Sequence, residues 1–103
     1  MQSLSEQTKI DATPALVIDL SVVERNVARL ASYAAEHHVA IRPHTKTHKS
    51  LWMAGRQIAA GAIGLTAAKV GEAEIMARAA RDLLVAYPVV DAHRCSRVAR
   101  LAR

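Results

Sequence analysis

The chain has 103 residues, 51% of them hydrophobic and 22% charged, and carries a formal net charge of +5. That length bounds it to one small domain with a modest core, and the single cysteine, Cys95, excludes an internal disulfide and a cysteine zinc cluster. No apolar run approaches the roughly 18 residues that a membrane span needs and no basic–apolar leader opens the chain, so a cytoplasmic protein is expected.

Residues 1 to 12 are polar and aperiodic and read as an N-terminal arm, leaving 13–103 as the domain. With no Phe and only 3% aromatics, Ala, Val, Leu and Ile must fill the interior, and Cys95 reads as one more small buried hydrophobe. Ala15-Leu16-Val17-Ile18-Asp19 is a nearly continuous apolar run, the pattern of a strand buried on both faces in a parallel sheet. Ser21-Val22-Val23-Glu24 has the form of a capping box, so a helix is expected to start at Ser21. Val23, Val27, Leu30 and Ala34 make its apolar stripe, and His37-His38 mark its end as exposed or dipole-facing side chains.

Val39 through Lys49 reads as a second strand with a dense cationic end. Its side-chain alternation groups Arg42, His44, Lys46 and His48 on one face and Ile41, Pro43 and Thr45 on the other. A helix with Leu51, Trp52 and Ile58 follows and stops at Gly61, where a left-handed residue ends it. Trp52 is expected to pack that helix on the sheet. Ala62–Thr66 is a third strand, Val70–Ala77 a third helix, and Leu83–Tyr87 a fourth strand closed by Pro88. Asp91 is a credible N-cap for a last helix, with Cys95, Val98, Ala99 and Ala102 on its inner side and Arg97, Arg100 and Arg103 outside.

Strand and helix thus alternate four times with short connections, which implies parallel strands joined by right-handed crossovers. Two α/β architectures fit: an open doubly wound sheet, or the first half of a (β/α)8 barrel. The absence of a glycine-rich dinucleotide turn after the first strand and of a phosphate loop favours the half-barrel.

In both architectures the chemistry gathers at the carboxyl ends of the strands. That rule selects Asp19, Lys46, Thr66 and Tyr87, and of these only Lys46 is a reactive group. A lysine amine freed of its proton by burial and by cationic neighbours such as Arg42 can form a Schiff base. The alternative is an ion pair between Lys46 and Asp19 or Glu72, and a polar edge strand running into a solvated loop accounts for the cationic face without chemistry. The basic C-terminal residues leave a nucleic-acid-binding domain as a further alternative, though no aromatic or glycine-rich segment accompanies them.

Four blocks in order, Thr13-Pro14-Ala15-Leu16-Val17-Ile18-Asp19-Leu20, Arg42-Pro43-His44-Thr45-Lys46-Thr47-His48-Lys49, Ala68-Lys69-Val70-Gly71-Glu72-Ala73-Glu74 and Tyr87-Pro88-Val89-Val90, resemble the N-terminal barrel of the D-threonine aldolase and D-serine dehydratase family. These are pyridoxal-phosphate enzymes of the alanine-racemase fold type. The resemblance implies that Lys46 holds pyridoxal phosphate as a Schiff base, that Arg42 and His44 line the cofactor pocket, and that Thr66, Lys69 and Tyr87 stand at its rim. It also implies a D-amino-acid substrate and a divalent metal whose ligands lie outside these residues. Because the blocks correspond to only the beginning of such enzymes, the chain is expected to be a fragment or short form, inactive alone and self-associating through its open strand edges. A non-catalytic pyridoxal-phosphate-binding module is the alternative within the same fold.

Overall fold

The computed structural model describes residues 9–103. Most of the expected arm over 1–12 therefore lies outside the described residues, and residues 9–12 form no helix or strand. Six elements follow: α1 (Leu20–Glu36), α2 (Leu51–Ala59), β1 (Leu65–Ala67), α3 (Val70–Met76), β2 (Leu83–Val85) and α4 (Ala92–Leu101). β1 and β2 pair in parallel with Thr66 opposite Leu84, and an extended segment before them adds a parallel bridge between His44 and Thr66. That segment is tied to β1 by Ile63 N–H to the Ile41 carbonyl (2.9 Å), Thr66 N–H to the Pro43 carbonyl (2.8 Å) and Thr45 N–H to the Thr66 carbonyl (2.8 Å). The α/β class with parallel strands is as the sequence implies.

The strand expected at 15–19 does not join the sheet: Leu16 is 91% exposed, and Val17 and Ile18 are exposed as well. A continuous apolar run is buried as a strand only where elements cover both of its faces, and among the described residues none do so here. The capping box at Ser21 is also displaced. Helix α1 begins one residue earlier at Leu20, and its N-cap is Asp19, whose Oδ1 accepts from the Ser21 amide (2.9 Å), the Val22 amide (3.2 Å) and the Ser21 hydroxyl (2.7 Å). A carboxylate competes well for the orphan amides of a first turn, because charge-assisted bonds and the helix dipole both favour it. These bonds, the Ser21 hydroxyl foremost, hold the Asp19 carboxyl below its ordinary range.

Other local expectations match the structure. His37 caps the end of α1 with its ring stacked on Tyr33 and His38 in the left-handed region, and Gly61 (φ +110°) follows α2. The Asp91 carboxylate accepts from the Arg94 amide at 2.8 Å to cap α4.

The core lies between the sheet and the α2–α3 layer. Ala54, Leu65 and Met76 form its buried centre, with Leu51, Ile58, Ala79, Ala80 and Leu83 packed around them. Because Leu65 and Ala67 point into this layer, Thr66 between them points to the opposite, concave face, and its register partners His44 and Leu84 point there too. Trp52, expected to pack on the sheet, is instead 42% exposed and lies under the Arg56 guanidinium (4.9 Å), which in turn pairs with Glu24 of α1 at 3.1 Å. A cation over an indole face keeps both partly solvated.

Helix α4 also turns a different side inward. Arg97, Val98 and Leu101 are half-buried, whereas Cys95, Ala99 and Ala102 are exposed, so the reading of Cys95 as a buried hydrophobe is overturned. The ion pair of Arg97 with Glu74 on α3 sets that rotation and holds the Glu74 carboxyl below its usual range. Arg94 is likewise held by Asp91 at 2.8 Å. Two of the C-terminal cations behind the nucleic-acid alternative are thus neutralised within the chain. No helix of the described residues is long and apolar enough to cross a membrane.

Candidate functional site

The concave face of the sheet is built in rows, as the period of two and the parallel register require. The lower row is Arg42, Gly64 and Asp82. Arg42 reaches over Gly64 and forks onto both carboxylate oxygens of Asp82, one bond measuring 3.1 Å. Gly64 is buried, and a Cβ there would collide with the Asp82 carbonyl and the Arg42 guanidinium. The row needs glycine for close approach, not for an unusual backbone angle. The Arg42 guanidinium beside it keeps the Asp82 carboxyl below the ordinary carboxylate range. Arg42 is thus committed at the amino end of the strands, four residues before Lys46.

The next row is His44, Thr66 and Leu84. Thr66 is buried and its hydroxyl donates to the Arg42 carbonyl at 3.2 Å, so it links the two rows. Above this row the extended segment ends. The strand expected to continue through Lys49 stops at Thr45, and Lys46-Thr47-His48 forms a turn closed by the Lys49 amide donating to the Thr45 carbonyl at 2.8 Å. Thr45 is only 1% exposed, and its hydroxyl and amide both donate to the Thr66 carbonyl. A fully buried, doubly bonded threonine is the root from which the turn rises.

Lys46 is exposed at the carboxyl end of this segment, and His48 no longer shares its face. His48 turns to the helix layer, where its Nε2 lies 3.1 Å from Gln57 Oε1 of α2. The two carboxylates that could have paired with Lys46 are both engaged elsewhere. Asp19 caps α1, and Glu72 pairs with Lys49 at 3.5 Å while accepting the Ala68 amide at 3.0 Å. Burial pushes the Glu72 carboxyl up, but the Ala68 amide and Lys49 outweigh it and the group sits below its usual range. Among the described residues Lys46 makes no ion pair.

Tyr87 lies just past β2 and is half-exposed. It lines a cavity of about 530 Å³ with Lys69, Val70, Gly71, Glu72, Arg94 and Arg97 at the same carboxyl end. The Glu72–Lys49 pair connects this cavity to the lysine turn. Of the expected site residues, the structure brings His44 and Thr66 side by side with Lys46 just above them, sets Tyr87 in the adjoining cavity, and holds Arg42 in the row below. Sequence reasoning missed the Arg42–Asp82 fork and the Lys49–Glu72 clasp. The signal for the first was present: Asp82 precedes Leu84 by two residues as Arg42 precedes His44, which places them in one row once the strands are registered. Among the described residues no three His, Cys, Asp or Glu side chains converge as metal ligands.

No family model matches the chain. It is 39% identical over 92 residues to a D-threonine aldolase of Arthrobacter sp. and 41% identical over 92 residues to the D-threo-3-hydroxyaspartate dehydratase of Delftia sp. (strain HT23). In each case 88% of this chain is matched to 24% of the relative, so the chain spans about a quarter of the length of these curated relatives. Among solved structures, D-threonine aldolase from Filomicrobium marinum superposes with a TM-score of 0.85 at 41% identity, covering 88% of this chain and 25% of that one. D-threo-3-hydroxyaspartate dehydratase from Delftia sp. HT23 superposes with a TM-score of 0.78 at 41% identity, covering 87% and 24%. Homologues of this chain are thus D-threonine aldolase and D-3-hydroxyaspartate aldolase and dehydratase, as the four sequence blocks suggest, and its fold is that of a partial region of those enzymes.

Proposed function

We propose that this chain is the cofactor-anchoring portion of a pyridoxal-phosphate-dependent D-amino-acid lyase of the aldolase or dehydratase type, with Lys46 as the amine that holds the cofactor's aldehyde. The observation that carries this is the separation of the two neighbouring lysines: Lys49 is clasped by Glu72, whereas Lys46 stands without an ion-pair partner among the described residues, at the carboxyl end of the sheet. An amine that must react with a carbonyl cannot be committed to a carboxylate, because the ion pair stabilises its protonated form.

The residues present fit that group. Pyridoxal phosphate supplies an electron sink for the charge left when a bond to the α-carbon of an amino acid breaks. Lys46 supplies the attachment point, and His44 and Thr66 form the floor beneath it on the concave face. Tyr87 stands at the rim with the adjoining cavity. Arg42 serves this reading through Asp82, as the fixed row that keeps His44 and Thr66 in register. The substrate class, a D-amino acid with a β-hydroxyl, follows from the names of the relatives, which act on D-threonine and 3-hydroxyaspartate.

The test is chemical. Borohydride reduction of the chain incubated with pyridoxal phosphate, followed by peptide mass mapping, should find the phosphopyridoxyl label on Lys46. Lys46→Ala should lose it and Lys49→Ala should keep it. A label spread evenly over Lys49, Lys69 and Lys46 would overturn the assignment. The chain alone should not cleave D-threonine at an appreciable rate, and measurable cleavage by the purified protein would refute that part. The open sheet edges and exposed Leu16 and Val90 lead us to expect self-association, which a folded monomer in sedimentation at micromolar concentration would disprove.

A further inference from the structure

Two imidazoles bracket the lysine turn, and both do the same thing. His44 Nδ1 accepts the Lys46 amide at 3.2 Å, and His48 Nδ1 accepts the Ser50 amide at 2.9 Å. Each ring thus bonds the backbone two residues downstream, the arrangement by which asparagine and aspartate side chains mimic a turn. The contact fixes the chemical state of the ring. A nitrogen that accepts from an amide carries no proton, so the neutral ring must hold its proton on Nε2. At His48 the other nitrogen agrees: Nε2 lies 3.1 Å from Gln57 Oε1, an oxygen that can only accept.

The downstream ends of the two bonds matter as much as the rings. One is the amide of Lys46 itself. The other is the amide of Ser50, which is the N-cap of α2 and accepts the Met53 amide through its hydroxyl. Between them Lys49 holds a left-handed backbone (φ +50°), and the Lys49–Glu72 pair fastens the far side of the turn to α3. The lysine turn is therefore gripped at its entry by one imidazole and at its exit by the other.

We propose that His44 and His48 are positioning residues that act as neutral, Nε2-protonated imidazoles, each accepting a backbone amide and together fixing the turn that presents Lys46. Its functional meaning rests on the assignment of Lys46 as the cofactor-holding amine; its geometry does not. The rings work as acceptors, so an asparagine, whose Oδ1 takes the place of Nδ1, should substitute for each, while alanine should not.

Three measurements on the full chain at about pH 8, where unperturbed imidazoles are neutral, test this. Long-range proton–nitrogen spectra should show Nδ1 bare and Nε2 protonated in both rings. Exchange protection of the Ser50 amide should fall about fivefold in His48→Ala, the equivalent of one net hydrogen bond of about 1 kcal/mol, and that of the Lys46 amide should fall in His44→Ala. Both asparagine variants should retain protection. Borohydride-trapped label on Lys46 should follow the same order at His48, which faces the helix layer and not the cofactor floor, reduced in His48→Ala and restored in His48→Asn. Nδ1–H tautomers in these rings, or asparagine variants as impaired as alanine, would overturn the inference by assigning the rings a packing role. If the tautomers and protection behave as stated but the label falls elsewhere than Lys46, the clamp stands and the cofactor reading fails. With a normal label on Lys46 but Nδ1–H rings, the cofactor reading stands and the clamp fails.

Discussion

Adding one methyl group at Gly64 tests the packed lower row of the site. The new Cβ would overlap the Asp82 carbonyl, which cannot retreat because it accepts the Leu65 amide at 3.0 Å in the strand ladder, and the Arg42 guanidinium, which can move only by leaving Asp82. Overpacking of this kind costs about 1–3 kcal/mol, and the smaller unfolded-state freedom of alanine returns about 0.4–1 kcal/mol. Those ranges combine to at most about 2.6 kcal/mol, and because the clash is with backbone Gly64→Ala should fall in their middle, destabilising by about 1–2 kcal/mol, which for a chain of this size lowers Tm by about 4–15 °C. Gly55 supplies the control. It lies exposed within α2 with nothing near its missing Cβ, so the same change there should stabilise by up to about 1 kcal/mol. Circular dichroism melts at one fixed concentration compare the two, since self-association would make Tm concentration-dependent. The clash with the Asp82 carbonyl is a backbone contact, so most of the Gly64→Ala cost should persist in an Arg42→Ala background. If Gly64→Ala proves neutral or stabilising, as Gly55→Ala should, the close approach of Arg42 and Asp82 over Gly64 is wrong.

Two further perturbations probe the layers around that row. Leu65→Ala removes the largest side chain at the centre of the Ala54–Leu65–Met76 cluster and should cost about 2–5 kcal/mol in urea unfolding, whereas a loss under about 1 kcal/mol would mean that the core lies elsewhere. Asp82→Asn should lower Tm by a margin that depends on pH. Because Arg42 lowers the folded-state pKa of Asp82, the stabilisation is complete above the ordinary carboxylate value of about 3.9 and is lost as pH falls through the lower folded value. The gap between wild type and variant should be constant near neutrality and close in acid; a gap that widens in acid would contradict the ion pair.

Much of the fold was legible because its signals act within a few residues of their source. The apolar period of α1, the stop at Gly61, the N-cap at Asp91 and the alternation of strands and helices all come from contacts spanning one or two turns. The candidate site was legible in outline for the same reason: the side-chain alternation of Arg42, His44 and Lys46 is local, and the strand-end rule points to Lys46. Where two local signals competed, pattern alone chose wrongly. Asp19 and Ser21 both offer an oxygen to the first turn of α1, and the charged one prevails.

By itself, then, the sequence determined the α/β class, the order of the four helices and of the two strands between the second and the last of them, the candidate lysine and the resemblance to D-threonine aldolase. Only the tertiary structure decided which charge meets which. Arg42 and Asp82 are 40 residues apart, and Arg97 and Glu74 are 23 apart, so their pairing exists only once strand register and helix rotation are set. The same holds for the ion pairing of the two lysines. Lys46 and Lys49 lie in one short basic run, and it is the turn after Thr45, together with the position of Glu72 at the start of α3, that pairs Lys49 with a carboxylate and leaves Lys46 without an ion pair among the described residues. Register and rotation are properties of the packed layers, and no local pattern encodes them.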